Sequence, residues 1–220
     1  MGGYKPARTP TSSSKIDASS SPPLKDPTTY RSLVGALQYV TLIRPNITFP
    51  VNQACQHLQQ LTEAHLTTVK RIFQYLKGTI SSRLFFKPGP IQLSTYCDAD
   101  WASCPLDHMS TNGFCVFLGP NPISWCAKKQ PIVVCSSTKA EYCCLAHTAV
   151  EISWLCSLFK ELHIPILSTS VIWCDNTSAI VFASNPVFHA RSEHIEVDYH
   201  FVREQVTRNF LDVRHIPSNI

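Results

Sequence analysis

Three acidic residues close or open patterned segments of the chain. Asp98 follows the run Ile91–Cys97, Asp175 follows Ser170–Cys174, and Glu141 sits early in a helix-like run, Ser137–Ala146. Two carboxylates at neighbouring strand ends and one on a helix packed across them can meet at one point. Carboxylates brought together repel, so such a point calls for a cation. Hard oxygen donors in small number suit Mg²⁺ or Mn²⁺. Two such ions a few ångströms apart are an apparatus for cutting a phosphodiester.

The elements that must position these acids follow from periodicity. Leu33, Leu37 and Val40 recur at helical spacing up to Pro45. Asn46 can cap a second helix carrying Val51, Ala54, Cys55 and Leu58, and Thr62 a third, with Val69, Ile72, Phe73 and Leu76 inward. From residue 87 the pattern changes. Strands are expected at 93–97, 114–118 and 123–126, the last two joined by a turn at Gly119-Pro120-Asn121-Pro122. Two helices, about 136–149 and 151–162, lead to a fourth strand at 170–174. That strand is reached by a helical crossover, so it can run parallel to the first. A short helix over 176–183, a longer one over about 192–206 and a strand over 210–215 complete the order. The chain therefore divides into a disordered linker (1–28, rich in Ser and Pro), a helical segment (29–86) and an α/β domain (87–220) built on a mixed five-stranded sheet.

Bulk composition sets limits. The 220 residues are 44% hydrophobic and 15% charged, enough apolar material for a core. The formal charge of +4 permits a polyanionic partner without demanding one. No run of 18 apolar residues exists, so no membrane partner is expected. Ten cysteines occur without any Cys-x-x-Cys pair, which excludes zinc-ribbon spacing. They read as free thiols in a reducing setting, intracellular and cytoplasmic or nuclear rather than secreted.

Several words in this order carry a family signature. They are Tyr96-Cys97-Asp98-Ala99-Asp100-Trp101-Ala102, Ile123-Ser124-Trp125 with Lys128-Lys129-Gln130, Ser136-Ser137-Thr138 before Ala140-Glu141-Tyr142, Trp173-Cys174-Asp175-Asn176, Asn185-Pro186-Val187-Phe188-His189, and His194 to Glu204. Together they resemble the RNase H region of copia-type retrotransposon Pol polyproteins. Tyr30 to Leu37, Arg44-Pro45-Asn46-Ile47 and Tyr75 to Thr79 resemble the thumb and connection at the end of the copia reverse transcriptase. The resemblance covers about residues 25–220.

The resemblance implies an RNase H-like fold preceded by a helical reverse transcriptase segment. It implies an endonuclease that cuts the RNA strand of RNA–DNA hybrids, with Asp98, Glu141 and Asp175 as catalytic and metal-binding residues. Asp98 is preferred to Asp100 on the family pattern and its strand-end position. Implied partners are the hybrid and the rest of the Pol polyprotein, with Lys128 and Lys129, just after the third strand, as contacts to the nucleic-acid backbone. Glu196 and Asp198 are left without a catalytic role, and His215 reads as a surface loop histidine. The family's fourth metal-binding Asp follows a His-x-Pro-Ser word, here His215-Ile216-Pro217-Ser218, so the domain reads as C-terminally truncated. The two-metal site is then expected to be incomplete and the chain weak or inactive alone. The alternative is a catalytically inactive remnant retaining at most nucleic-acid binding. The polymerase's paired-Asp motif is absent, so polymerase activity is not implied.

Overall fold

The protein is described from a computed structural model over residues 5–12, 21–58, 60–104, 107–184 and 193–217, without the side chains of 193–199. The chain forms two units, residues 1–85 and 86–220. In the second, three strands come first: β1 (Leu93–Asp100), β2 (Thr111–Leu118) and β3 (Asn121–Lys129). They form an antiparallel meander, with Leu93 opposite Leu118 and Thr111 opposite Lys129. β2 and β3 are longer than their apolar cores suggested. The ladder extends through polar positions such as Asn112 and Lys128, whose backbone groups pair regardless of side chain.

A single helix, α4 (Ser137–Glu161), follows where two were expected. Nothing between Ala149 and Glu151 can break it, because that stretch holds neither Gly nor Pro. Ser136 caps its start, accepting from the Lys139 N–H at 3.3 Å. Its length and composition would suffice to cross a membrane, yet ten of its residues are buried in the described structure. Tyr142, Leu145, Ala149 and Ile152 belong to the core shared with Leu93, Val116 and Ile172. From α4 the chain enters β4 (Ser170–Cys174), then α5 (Thr177–Ser184), α6 (Glu193–Thr207) and β5 (Leu211–His215). The sheet order is β3-β2-β1-β4-β5, with β4 parallel to both β1 and β5. This mixed five-stranded sheet with flanking helices is the fold class implied by the RNase H resemblance.

The first unit holds α1 (Pro27–Thr41), a 3-10 turn (Pro45–Ile47), α2 (Thr48–Cys55) and α3 (Glu63–Gly78). Its core joins Tyr30, Val34, Leu37, Ile47, Val51, Val69 and Ile72. The buried Tyr30 hydroxyl donates to Ala54 O at 3.0 Å. Thr62 caps α3 in a capping box with His65. Asn46 does not cap a helix. Its side chain meets the Tyr75 hydroxyl at 2.5 Å. The linker expected over 1–28 also differs where it is described. The Glu63 N–H donates to Pro22 O at 3.1 Å, and the Ala64 N–H to Ser21 Oγ at 3.1 Å. These are orphan donors at the start of α3, so a polar segment docks there without a core of its own. Asp26 caps α1, which begins inside the expected linker. Residues 1–4 and 13–20 of that segment lie outside the described residues.

Ile172 is fully buried at the centre of β4, between Thr95 and Val213. All four tryptophans lie in the second unit, so their fluorescence reports it alone. Ile172→Ala is expected to cost about 2–5 kcal/mol, read by tryptophan fluorescence as a lower urea midpoint with unchanged slope. A midpoint within error of wild type would contradict the packing described.

Candidate metal centre

The site arises where two parallel strands part. β1 and β4 pair from Ser94/Val171 to Tyr96/Trp173 and no further. β4 ends at Cys174, whereas β1 continues along β2 to Asp100. Asp98 therefore does not end a strand, as its sequence position suggested. It follows the end of the β1–β4 pairing. Carrying that register two residues forward sets Asp98 level with Asp175 across the opening ladder.

Glu141 enters the gap from the first turns of α4. Its Oε1 accepts from the Ala99 N–H at 3.1 Å, a donor on the edge of β1 that β4 no longer covers. Its Oε2 is buried with no hydrogen-bond partner among the described residues. One turn on, the Cys144 thiol donates to Asp98 O at 3.1 Å and fixes the helix on the strand. Gln130 secures the helix start: its Nε2 donates to Ala140 O at 2.9 Å and to Asn112 Oδ1 at 2.5 Å.

Asp98 faces the open side of the sheet with Tyr96 and Asp100, while Cys97 and Ala99 face the helices. Capping of α5 falls to Asn176, whose Oδ1 accepts from the Ala179 N–H at 3.0 Å, so Asp175 is not the cap. One oxygen each of Glu141 and Asp175 and the Cys174 sulfur lie within 4.8 Å of one another. Glu141 and Asp175 are thus brought together, with a thiol among them that sequence reasoning placed in the core; Asp98 lies outside that group, on the open face, where the charge on Asp175 still reaches it. Adjacent strand residues normally point to opposite faces, so Cys174 and Asp175 converge only because the strand stops between them.

Burial and crowding set the electrostatics. Burial pushes the Glu141 carboxyl up to about 8 against the Ala99 N–H bond, and Cys174, Asp98 and Asp175 add to the rise. Burial also raises the Asp98 carboxyl, followed by the charge on Asp175. Crowding and burial of this kind favour a proton on Glu141 and Asp98, or a cation in its place.

Lys128 and Lys129 are the last residues of β3 rather than the start of a loop. Being adjacent, they take opposite faces. Lys129 shares the face of Asp98 but is committed to Asp107, at 2.5 Å, and to the Cys104 sulfur, at 3.2 Å. Its hydrogen bond holds the Asp107 carboxyl down at about 2. Lys128 is exposed. His215 ends β5 opposite Cys174 and is exposed. The side chains of His194, Glu196 and Asp198, and the word Asn185–His189, lie outside the described residues. An aromatic stripe borders the acids on the open face: Tyr96 meets Phe117 edge-on at 5.8 Å and Trp173 at 6.5 Å, and Arg214 covers Trp173.

No family model matches the chain. It is 47% identical over 217 residues to the retrovirus-related Pol polyprotein from transposon RE1 of Arabidopsis thaliana. That match covers 98% of this chain and 15% of the polyprotein, so the chain spans a small part of its relative's length. Among solved structures, the foamy viral protease-reverse transcriptase dRH in complex with double-stranded DNA is similar at a TM-score of 0.50 and 8% identity. It covers 91% of this chain and 33% of that one. LC11-RNase H1 in complex with an RNA/DNA hybrid matches at a TM-score of 0.42 and 13% identity, covering 58% of this chain and 86% of that one.

The raised Glu141 carboxyl gives a signed pH dependence. Between its ordinary value of 4.5 and about 8 the folded state holds a proton that the unfolded state has lost. Stability therefore falls as pH rises through that window and levels above it. Glu141→Gln is expected to flatten this slope and to exceed wild type at pH 9 by an amount on the order of a few kcal/mol. Urea titrations at several pH values in chelator check it; parallel wild-type and variant curves would refute the assignment.

Proposed function

The chain belongs to the Pol polyproteins of copia-type retrotransposons, and from that premise we propose that it joins the end of the reverse transcriptase to an RNase H-like domain, and that this domain, the second unit, is an RNase H-type endonuclease acting on the RNA strand of RNA–DNA hybrids. The observation that supports this is the meeting of Glu141 and Asp175 where β1 and β4 part, with Asp98 level with Asp175 across the opening ladder.

The residues fit divalent ions. Glu141 presents a buried oxygen without a hydrogen-bond partner among the described residues, and burial, with the charges on Asp98 and Asp175 nearby, raises its proton affinity until a cation relieves it. Asp98, Glu141 and Asp175 would hold Mg²⁺ or Mn²⁺. Bound there, the ions would acidify an attacking water and offset charge on the scissile phosphate. The protein's own part is positional. The Ala99 N–H fixes which Glu141 oxygen is held by β1 and which is left for an ion, and the Cys144 thiol ties α4 to β1. The core beneath, with Cys97 and Ala99, keeps water from the back of the cluster. Asp98 lies on the open face, from which a duplex can approach. A hybrid would be recognised by minor-groove shape and 2′-hydroxyls rather than by sequence. Lys129, on the face of Asp98, is occupied by its ion pair, and the exposed Lys128 would meet phosphate only around the edge strand β3, from whose other face it projects. The remaining Pol polyprotein would supply the other contacts.

Calorimetry is expected to register weak Mn²⁺ binding that Asp98→Asn removes. Cleavage of a labelled hybrid is expected to be slow, confined to the RNA strand and dependent on Mg²⁺ or Mn²⁺. Asp98→Asn, Glu141→Gln and Asp175→Asn should each reduce it roughly 100-fold or more. Undiminished cutting by Asp175→Asn, or equal cutting of the DNA strand, would sink the proposal.

The two lysines separate in a salt titration of hybrid binding. Lys128→Ala should lower the slope of log affinity against log salt by about 1. Lys129→Ala should instead loosen its partners Asp107 and Cys104. An unchanged slope in Lys128→Ala would remove that residue from the interface.

A further inference from the structure

The donor set at this centre is not purely hard. Cys174 is fully buried, and its sulfur lies within 4.8 Å of ligand oxygens from both Glu141 and Asp175. Hard-ion sites are built from oxygen, whereas thiolate selects softer ions. We infer that Glu141, Cys174 and Asp175 form a soft-ion site, which takes Zn²⁺ or Cd²⁺ through the Cys174 sulfur and thereby excludes the ions of the nuclease. The inference rests on the reading of this centre as a nuclease site and deepens it.

Two independent observations point to a ligand. The first is the convergence of three donor atoms of types that zinc accepts, one sulfur and two oxygens. The second is Glu141 itself. It is 6% exposed, and its Oε2 is buried without a hydrogen-bond partner among the described residues. A buried unpartnered carboxylate oxygen is costly unless something binds it. A tetrahedral zinc ion holds sulfur at about 2.3 Å and oxygen at about 2.0–2.2 Å. Its ligands then stand roughly 3.5 Å apart, closer than the present 4.8 Å limit by an amount that side-chain rotation can supply. Behind Cys174, the Cys97 thiol shares a hydrogen bond with it, so the sulfur sits in polarisable, water-poor surroundings. On binding, a metal–sulfur bond forms and the thiol proton passes to buffer; nothing is oxidised or reduced.

The test uses Cd²⁺ on the purified 220-residue chain, in non-chelating buffer with a phosphine reductant. Ultraviolet absorbance reads the cadmium–thiolate band, and calorimetry reads stoichiometry. One saturable site carrying the band is expected. Cys174→Ser should abolish the band and weaken binding about tenfold or more. Asp175→Asn should weaken binding while keeping the band. Cys156→Ser, at the far end of β4 beside Ser170, should change neither. A full band in Cys174→Ser, or no band in wild type, overturns the inference. Should Cys174→Ser fail to fold by circular dichroism, Asp175→Asn decides, and unchanged affinity there overturns it. Hybrid cleavage in Mg²⁺ is read separately. Cleavage without cadmium binding defeats this inference and leaves the nuclease proposal intact, whereas cadmium binding without cleavage does the reverse.

Discussion

One hydrogen bond, from the Ala99 N–H to Glu141 Oε1, joins helix to sheet at the point where β1 leaves β4. Its donor is available only because the β1–β4 ladder stops at Tyr96/Trp173. Its acceptor arrives only because α4 is pinned by the Cys144 thiol and by Gln130. The fold's other features, the long crossover helix and the parallel β4, are what bring both partners to that place.

This arrangement works against stability. A carboxyl raised to about 8 by burial is a group the fold would discard if packing alone mattered. The Ala99 bond offsets part of the penalty, and the unpartnered Oε2 leaves the rest. Sites of function are where such unrelieved costs collect. Here the cost falls at the rim of a well-filled core, where Tyr142, Leu145 and Ile152 are fully buried a few residues along the same helix. The helix can therefore carry a poorly solvated acid without losing its seat on the sheet.

The thiols around the acids add a second character. None of the ten cysteines forms a disulfide, and Cys97, Cys144 and Cys174 are buried close to the carboxylates. Cys144 and Cys97 serve as weak donors to backbone carbonyls. Cys174 differs because its strand ends beneath it. A cluster whose oxygens would suit hard ions is thereby flanked by a soft donor.

Much of this was legible in the chain. Alternation at Leu93–Cys97 and the apolar run Ser170–Cys174 marked strands, and the ordered words around Asp98, Glu141 and Asp175 marked the acids. These are local signals, carried by side-chain type and period. The split of α4 into two helices was wrong because the stripe of apolar residues shifts along it, while nothing in its backbone breaks. The lysines were misplaced because a ladder can extend through polar residues. Sequence alone thus determined which elements carry Asp98, Glu141 and Asp175, and in what order. Only the tertiary structure decided where the β1–β4 pairing ends, which oxygen of Glu141 is left bare, that Lys129 is already paired, and that Cys174 joins the acids. Those outcomes depend on contacts between residues far apart in the chain, and no local pattern encodes the length at which two strands part.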